Sequence, residues 1–369
     1  MKKHFLLFIF LLFGASLFAQ EKSEKDIFTS TLRFHYGIVM PHHKSISYLV
    51  NNQISAVELN LGYIPSNKKN WAKLYKQPEI GIGLYHGSLG NDKVLGNVTA
   101  VFPYINFPIK SGNKWEFNTQ LGIGLGYTKK HFDPVENYTN LALGTKYNAF
   151  FKLMANGAYA FRSKWNVNAG VGFNHLSNGS FSSPNKGLNL LTGSVGLTYF
   201  WNGNREKKPV PVSGLKELEN EILIIWSHGI KQSTEIDHHK YYATSLSGSY
   251  SIGVNAKRRF GFGIDLFYDE ATNRGKWNFT PQTSFKDRFS QGLFISHDLV
   301  IKKLSIIAQI GVYTIYKTKP EKPIYTRLGL RYQLSKHFLA NLSLKAHLGQ
   351  ADFIEWGVGY RLSKKKHGK

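Results

Sequence analysis

Apolar and polar residues alternate with a period of two over most of the chain, in segments of roughly 10–15 residues that read as half-buried strands. Clusters of Asn, Gly, Ser, Lys and Pro separate the segments. The pattern predicts strands near 28–40, 50–64, 78–88, 97–110, 114–130, 144–162, 165–179 and 189–201. After Trp201 comes the charged, Pro-containing passage "NGNREKKPVPVSGLKELENE", read as a linker over 202–220. Alternation then resumes near 221–232, 240–255, 259–270, 288–302, 304–317, 324–335, 338–348 and 351–363, ahead of a basic tail over 364–369. An even number of strands in each half can close antiparallel without a free edge.

The fold class is therefore all-β, an antiparallel transmembrane β-barrel of about 16 strands. Two architectures satisfy the pattern: two tandem eight-stranded units (21–201 and 221–363), or one 16-stranded barrel with the linker as a long turn. Short matches recur in the same order in the two halves, such as "HYGIVMPHHK" with "SHGIKQSTEIDHHK" and "SKWNVNAGVGFNHLSNG" with "SKHFLANLSLKAHLGQA". They favour duplication of an eight-stranded unit.

Composition adds an export signal and excludes several function classes. Residues 1–20, "MKKHFLLFIFLLFGASLFAQ", have a basic start, an apolar run and small Ala19 near the end, as a secretory signal peptide does. The absence of cysteine rules out both a lipid-anchored N-terminus and a disulfide framework. The formal charge of +24 suits an anionic glycolipid surface or solubilising loops. Nucleic acid is not an expected partner of an exported chain, and a homo-oligomer is compatible with the sequence. No His-Glu-x-x-His, Gly-x-Ser-x-Gly or phosphate-binding Gly loop is present. The paired histidines His42-His43 and His238-His239 read as solvated loop residues.

One strand end carries chemistry. In "WNVNAGVGFNHLSN", Trp165, Val167, Ala169, Val171, Phe173, His175 and Ser177 share one face, and Asn166, Asn168, Gly170, Gly172, Asn174, Leu176 and Asn178 the other. The apolar face meets lipid, so His175 and Ser177 project toward the bilayer near its rim, where unpaired polar groups are costly. Asn189 opens the next strand on the same face. A neutral imidazole beside a hydroxyl can activate it as a nucleophile. On this spacing His175 and Ser177 supply that pair, Asn189 orients the ring, and Asn178 with the amides of Gly179 and Ser180 forms a candidate oxyanion site.

At "HLSN" (His175 to Asn178) and "PNKG" (Pro184 to Gly187) the chain resembles the PagL-type lipid A 3-O-deacylase family of eight-stranded outer-membrane barrels. The resemblance lies in the first half. It implies hydrolysis of an ester-linked acyl chain of lipid A without metal or cofactor, with lipopolysaccharide and the outer membrane as partners. His175 would be the base, Ser177 the nucleophile and Asn178 an oxyanion contributor. Two positions depart from the family pattern. Asn189 stands where the family has a glutamate, and Ser180, preceded by Gly179, stands where it has a glycine. An amide can orient an imidazole, but it does not offset imidazolium charge as a carboxylate does. Asp133 or Glu136 of the preceding loop could supply a carboxylate instead. In the second half the counterpart "KAHLGQ" has Gly349 in place of the serine, so 221–363 reads as a non-catalytic unit. The contrasting reading of the whole is a structural or channel-forming barrel with a vestigial motif.

Overall fold

A computed structural model describes residues 26–41, 44–66, 69–203, 218–235, 237–272, 284–318 and 322–364. The predicted signal peptide, His42-His43, most of the linker and nearly all of the basic tail lie outside these residues.

The chain forms two closed antiparallel barrels of eight strands each, which decides between the two expected architectures. The first comprises β1 (Ile27–Met40), β2 (Ile54–Ile64), β3 (Glu79–Ser88), β4 (Asn97–Ser111), β5 (Trp115–Thr128), β6 (Tyr147–Arg162), β7 (Trp165–Ser177) and β8 (Leu188–Phe200). β1 pairs with β8 from Thr29↔Phe200 to Met40↔Asn189, and this pairing closes the ring. The second comprises β9 (Asn220–Gln232), β10 (Lys240–Gly253), β11 (Arg258–Asp269), β12 (Phe289–Ile301), β13 (Leu304–Tyr316), β14 (Ile324–Gln333), β15 (Phe338–His347) and β16 (Gln350–Lys364), closed by β9 and β16. By compactness this barrel groups with segments 131–148 and 177–187.

Each strand buries one face in the lumen and shows an apolar face outside. On β1, Thr29, Thr31, Arg33 and His35 are buried while Phe28, Leu32, Phe34, Tyr36 and Ile38 are exposed. Trp165, Tyr199 and Trp201 stack outside the first barrel at the end where the chain enters, with centroids 4.8 and 5.0 Å apart. Such aromatic girdles mark a membrane–water interface. The period-two glycines of "EIGIGLYHG" have a packing reason, since a Cβ at Gly83 would lie 2.3 Å from the Phe102 ring that fills the lumen beside it.

Charges neutralised in place fill both lumens. In the first barrel Glu58 is fully buried, with Lys152 Nζ at 2.6 Å, Arg33 Nη1 at 3.1 Å and His35 Nε2 at 3.2 Å. In the second, Arg327 bridges Glu355, at 2.5 Å, and Asp265, at 3.2 Å. Lys345 binds Asp352 at 2.5 Å, and Lys231 binds both Asp352 and Asp269. A polar cavity of about 480 Å³ opens in the first lumen near the chain-entry end. Thr29, Arg33, Glu79, Asn106, Asn118 and Asn168 line it, and none of the predicted catalytic residues does.

Removing one member of a buried ionic cluster strands its partners without solvent, at a cost of about 3–5 kcal/mol. Glu58→Leu takes the carboxylate from Lys152 and Arg33, Arg33 keeping only its bond to Asn168, and is expected to lower the first barrel's stability by that amount. Urea unfolding in lipid vesicles measures it, and a midpoint equal to that of the parent would contradict the reading.

Candidate active site

Strand register places the first pair. β7 and β8 set His175 directly opposite Asn189, and closure sets Asn189 opposite Met40 of β1. Both polar side chains are half-buried on the outward face, while their strand neighbours Asn174, Leu176, Leu188 and Leu190 are buried inside. His175 Nδ1 and Asn189 Oδ1 are 2.6 Å apart. An amide oxygen only accepts, so Nδ1 carries the proton and Nε2 the lone pair. The ring therefore turns its protonated Nδ1 toward Asn189 and leaves the lone pair on Nε2.

Ser177 is the last residue of β7, two positions beyond His175 on the same face, and only 6% exposed. Its Oγ accepts from Gly179 N–H at 3.0 Å and from Asn185 Nδ2 at 3.3 Å. Asn185 Oδ1 in turn accepts from Asn178 N–H at 3.0 Å. Asn178 Nδ2 donates to Ser182 O at 2.9 Å, and Asn178 O accepts from Phe181 N–H at 3.2 Å. The strand stops here because Gly179 (φ 64°) and Ser180 (φ 66°) are both left-handed, a conformation that costs a non-glycine residue about 1–2 kcal/mol. Strand β7 therefore ends two residues before its predicted boundary.

Of the three residues expected to form an oxyanion site, Asn178 and Gly179 are engaged within this turn and Ser180 by groups outside it. The backbone N–H of Asn178 goes to Asn185 and its side-chain amide to Ser182, while Gly179 N–H points at Ser177 Oγ itself. The hydroxyl of Ser180 donates to Ala351 O at 2.7 Å. Asn185, which sequence reasoning placed only in a turn, is the side chain whose amide reaches the serine oxygen. The one available signal was its place after Pro184, where an Asn commonly bonds nearby backbone. Asp133, considered as an alternative carboxylate, is tied into its own loop by the N–H groups of Val135 and Glu136, both at 2.9 Å. Those bonds, Glu136 first, hold its carboxyl below the usual range.

The corresponding end of the second barrel is different. His347 shares a hydrogen bond of 2.8 Å with Tyr313 OH, beside Lys345 and Asp352, and Gly349 (φ 91°) brings no hydroxyl. Among the described residues no group of three or more His, Asp or Glu side chains is placed to hold a metal ion.

Closed eight-stranded barrels with apolar outer faces and ion-paired lumens define a class of outer-membrane protein. A family model described as lipid A 3-O-deacylase (PagL) matches residues 57–198, and one described as acyloxyacyl hydrolase, C-terminal domain, matches residues 220–365. The chain belongs to this lipid A deacylase family, an outer-membrane family, and the kinship covers both halves rather than the first alone. No curated protein matches it. Among solved structures, Neisserial surface protein A matches at 9% identity over 47% of this chain and 96% of its own, with a TM-score of 0.33. The Pseudomonas putida toluene transporter TodX matches at 10% identity over 94% and 91%, with a TM-score of 0.18. Pseudomonas aeruginosa OccK11 (OpdR) matches at 12% identity over 93% and 97%, with a TM-score of 0.20.

The His175 tautomer is open to direct measurement. In protein labelled with ¹⁵N-histidine, the neutral His175 ring is expected to show the Nδ1-protonated form, and Asn189→Leu to release it toward the Nε2-protonated form. An Nε2-protonated ring in the parent chain would contradict the hydrogen bond.

Proposed function

We propose that this protein hydrolyses an ester-linked acyl chain of lipid A or a related glycolipid in the outer membrane, with His175 as base and Ser177 as nucleophile. The observation that carries the proposal is the 2.6 Å hydrogen bond from His175 Nδ1 to Asn189 Oδ1, on the lipid-facing side and two residues from a serine. The strand below it presents Val167 and Val171, more than two-fifths exposed, to the region where acyl chains lie.

In this mechanism Ser177 Oγ attacks the ester carbonyl carbon as His175 Nε2 takes the hydroxyl proton. The tetrahedral intermediate collapses, the bond to the glycolipid oxygen breaks, and His175 returns the proton to that oxygen. Water, deprotonated by the same ring, attacks the acyl-serine carbonyl, the bond to Ser177 Oγ breaks as the ring returns the proton to that oxygen, and the fatty acid is released. Asn185 Nδ2, already directed at Ser177 Oγ, supports the reading as a donor near the developing oxyanion. Asn189 holds the ring but gives no charge to the imidazolium, so the reaction is expected to be slower than one assisted by a carboxylate.

A second reading has its own support. Ser177 Oγ accepts two hydrogen bonds within the turn, as a serine with a purely structural role does. Mass spectrometry of lipid A from outer membranes carrying the parent chain, Ser177→Ala or Asn189→Glu separates the two. The proposal expects one acyl chain to be lost with the parent and none with Ser177→Ala. Asn189→Glu is expected to raise turnover by about tenfold or more, since loss of the carboxylate from a serine–histidine triad is severe. An unchanged lipid A profile in all three strains favours the structural barrel.

A further inference from the structure

Segment 177–187, which carries the serine, is held by residues of the second barrel. Gln232, the last residue of β9, is 5% exposed, and both ends of its side-chain amide are hydrogen-bonded. Its Oε1 accepts from Ser182 Oγ at 3.1 Å, Ser183 N–H at 3.2 Å and Lys240 Nζ at 2.9 Å. Its Nε2 donates to Thr234 O at 2.8 Å, and its backbone N–H donates to Ser180 O at 3.0 Å. Lys240, paired with Gln232 across β9 and β10, donates to Phe181 O at 2.5 Å and sits 4.7 Å from the centre of the Phe181 ring. Ser180 Oγ donates to Ala351 O of β16. Gly179 lies so close to β16 that a Cβ there would stand 2.4 Å from Ile354 Cγ1.

These bonds reach four consecutive residues, Ser180 to Ser183, by backbone or side chain. The same residues bond back to Asn178, the neighbour of Ser177, through Ser182 O and Phe181 N–H. Gly179 and Ser180, both left-handed, form the centre of a tight turn closed by Phe181 N–H to Asn178 O, and the cost of about 1–2 kcal/mol at the non-glycine Ser180 is offset in part by the bonds that Ser180 makes outside the turn. The second barrel, which brings no serine of its own at the matching position, holds the turn through the side chains of Gln232 and Lys240 together with backbone groups of β9 and β16.

We propose that Gln232 is a positioning residue for Ser177: the second barrel acts on the reaction by fixing the turn that sets the nucleophile's Oγ. The proposal rests on the deacylase reading for its catalytic consequence, while its mechanical part stands on the hydrogen bonds alone.

The test uses the full chain in lipid nanodiscs. Gln232→Leu removes the acceptor for Ser182, Ser183 and Lys240, and Gln232→Glu keeps an oxygen there. Hydrogen exchange at the amides of 178–183 is expected to quicken at least tenfold in Gln232→Leu and to stay near the parent rate in Gln232→Glu. Turnover on lipid A is expected to fall about ten- to a hundredfold in Gln232→Leu with KM within twofold, as misplacement of a reacting group does. Barrel closure is followed by electrophoretic migration without heating. Should Gln232→Leu fail to close, Lys240→Met, which removes the donors to Phe181 O and Gln232 Oε1, takes its place with the same expected outcome. Unchanged exchange in the closed variant overturns the proposal, as does altered exchange with parental turnover. Absence of acyl release by the parent chain would instead count against the deacylase reading, and the exchange rates would still decide whether Gln232 holds the turn.

Discussion

A backbone that crosses hydrocarbon has no water to bond, so every N–H and C=O must find a partner within the protein. In this chain that constraint is met twice, by two rings of eight strands that leave no open edge. Closure has a chemical consequence as well as a structural one. It brings β8 back between β1 and β7, so Asn189 lies beside both Met40 and His175. The polar contact at the rim follows from ring closure and strand register, and a slip of one residue would turn His175 into the lumen.

The same alternation that allows closure sorts the ionic groups inward. Glu58, Arg33, Lys152 and His35 meet in one lumen, and Asp265, Arg327 and Glu355 in the other. These clusters fill space that apolar side chains would fill in a soluble core. Against that polar interior the outer faces are mostly apolar, and His175 shares its outward placement with a few other polar side chains such as His86 and Thr99. Asn189 supplies orientation without charge, and Asn185 brings a donor to the serine oxygen. In the proposed reaction, Asn189 would keep one of the two roles of the glutamate expected at this position.

Much of this was legible in the sequence because period-two alternation is local. The strands, the facing of His175 and Ser177, and the place of Asn189 all follow from counting along the chain. The choice between one ring and two was not legible, since it depends on which strands pair at the ends. The roles of Asn178 and Asn185 were hidden for a related reason: both are read from a turn whose shape is set by Gly179 and Ser180 at positive φ. Gln232 gave no sequence signal at all, because its partners Ser182 and Ser183 are about fifty residues away. The early ends of predicted strands have local causes. Strand β2 begins at Ile54 rather than 50 because Asn52 N–H is taken by Gly90 O in the loop.

The central claim is that Ser177 is a nucleophile activated by His175. A long-chain alkyl fluorophosphonate tests it without reference to any particular lipid, since an activated serine oxygen displaces fluoride from phosphorus and keeps the adduct. Peptide mapping of the membrane-embedded protein is expected to place a single adduct on Ser177 and to find it lost in His175→Ala. No adduct on Ser177, or labelling indifferent to His175, would contradict the account.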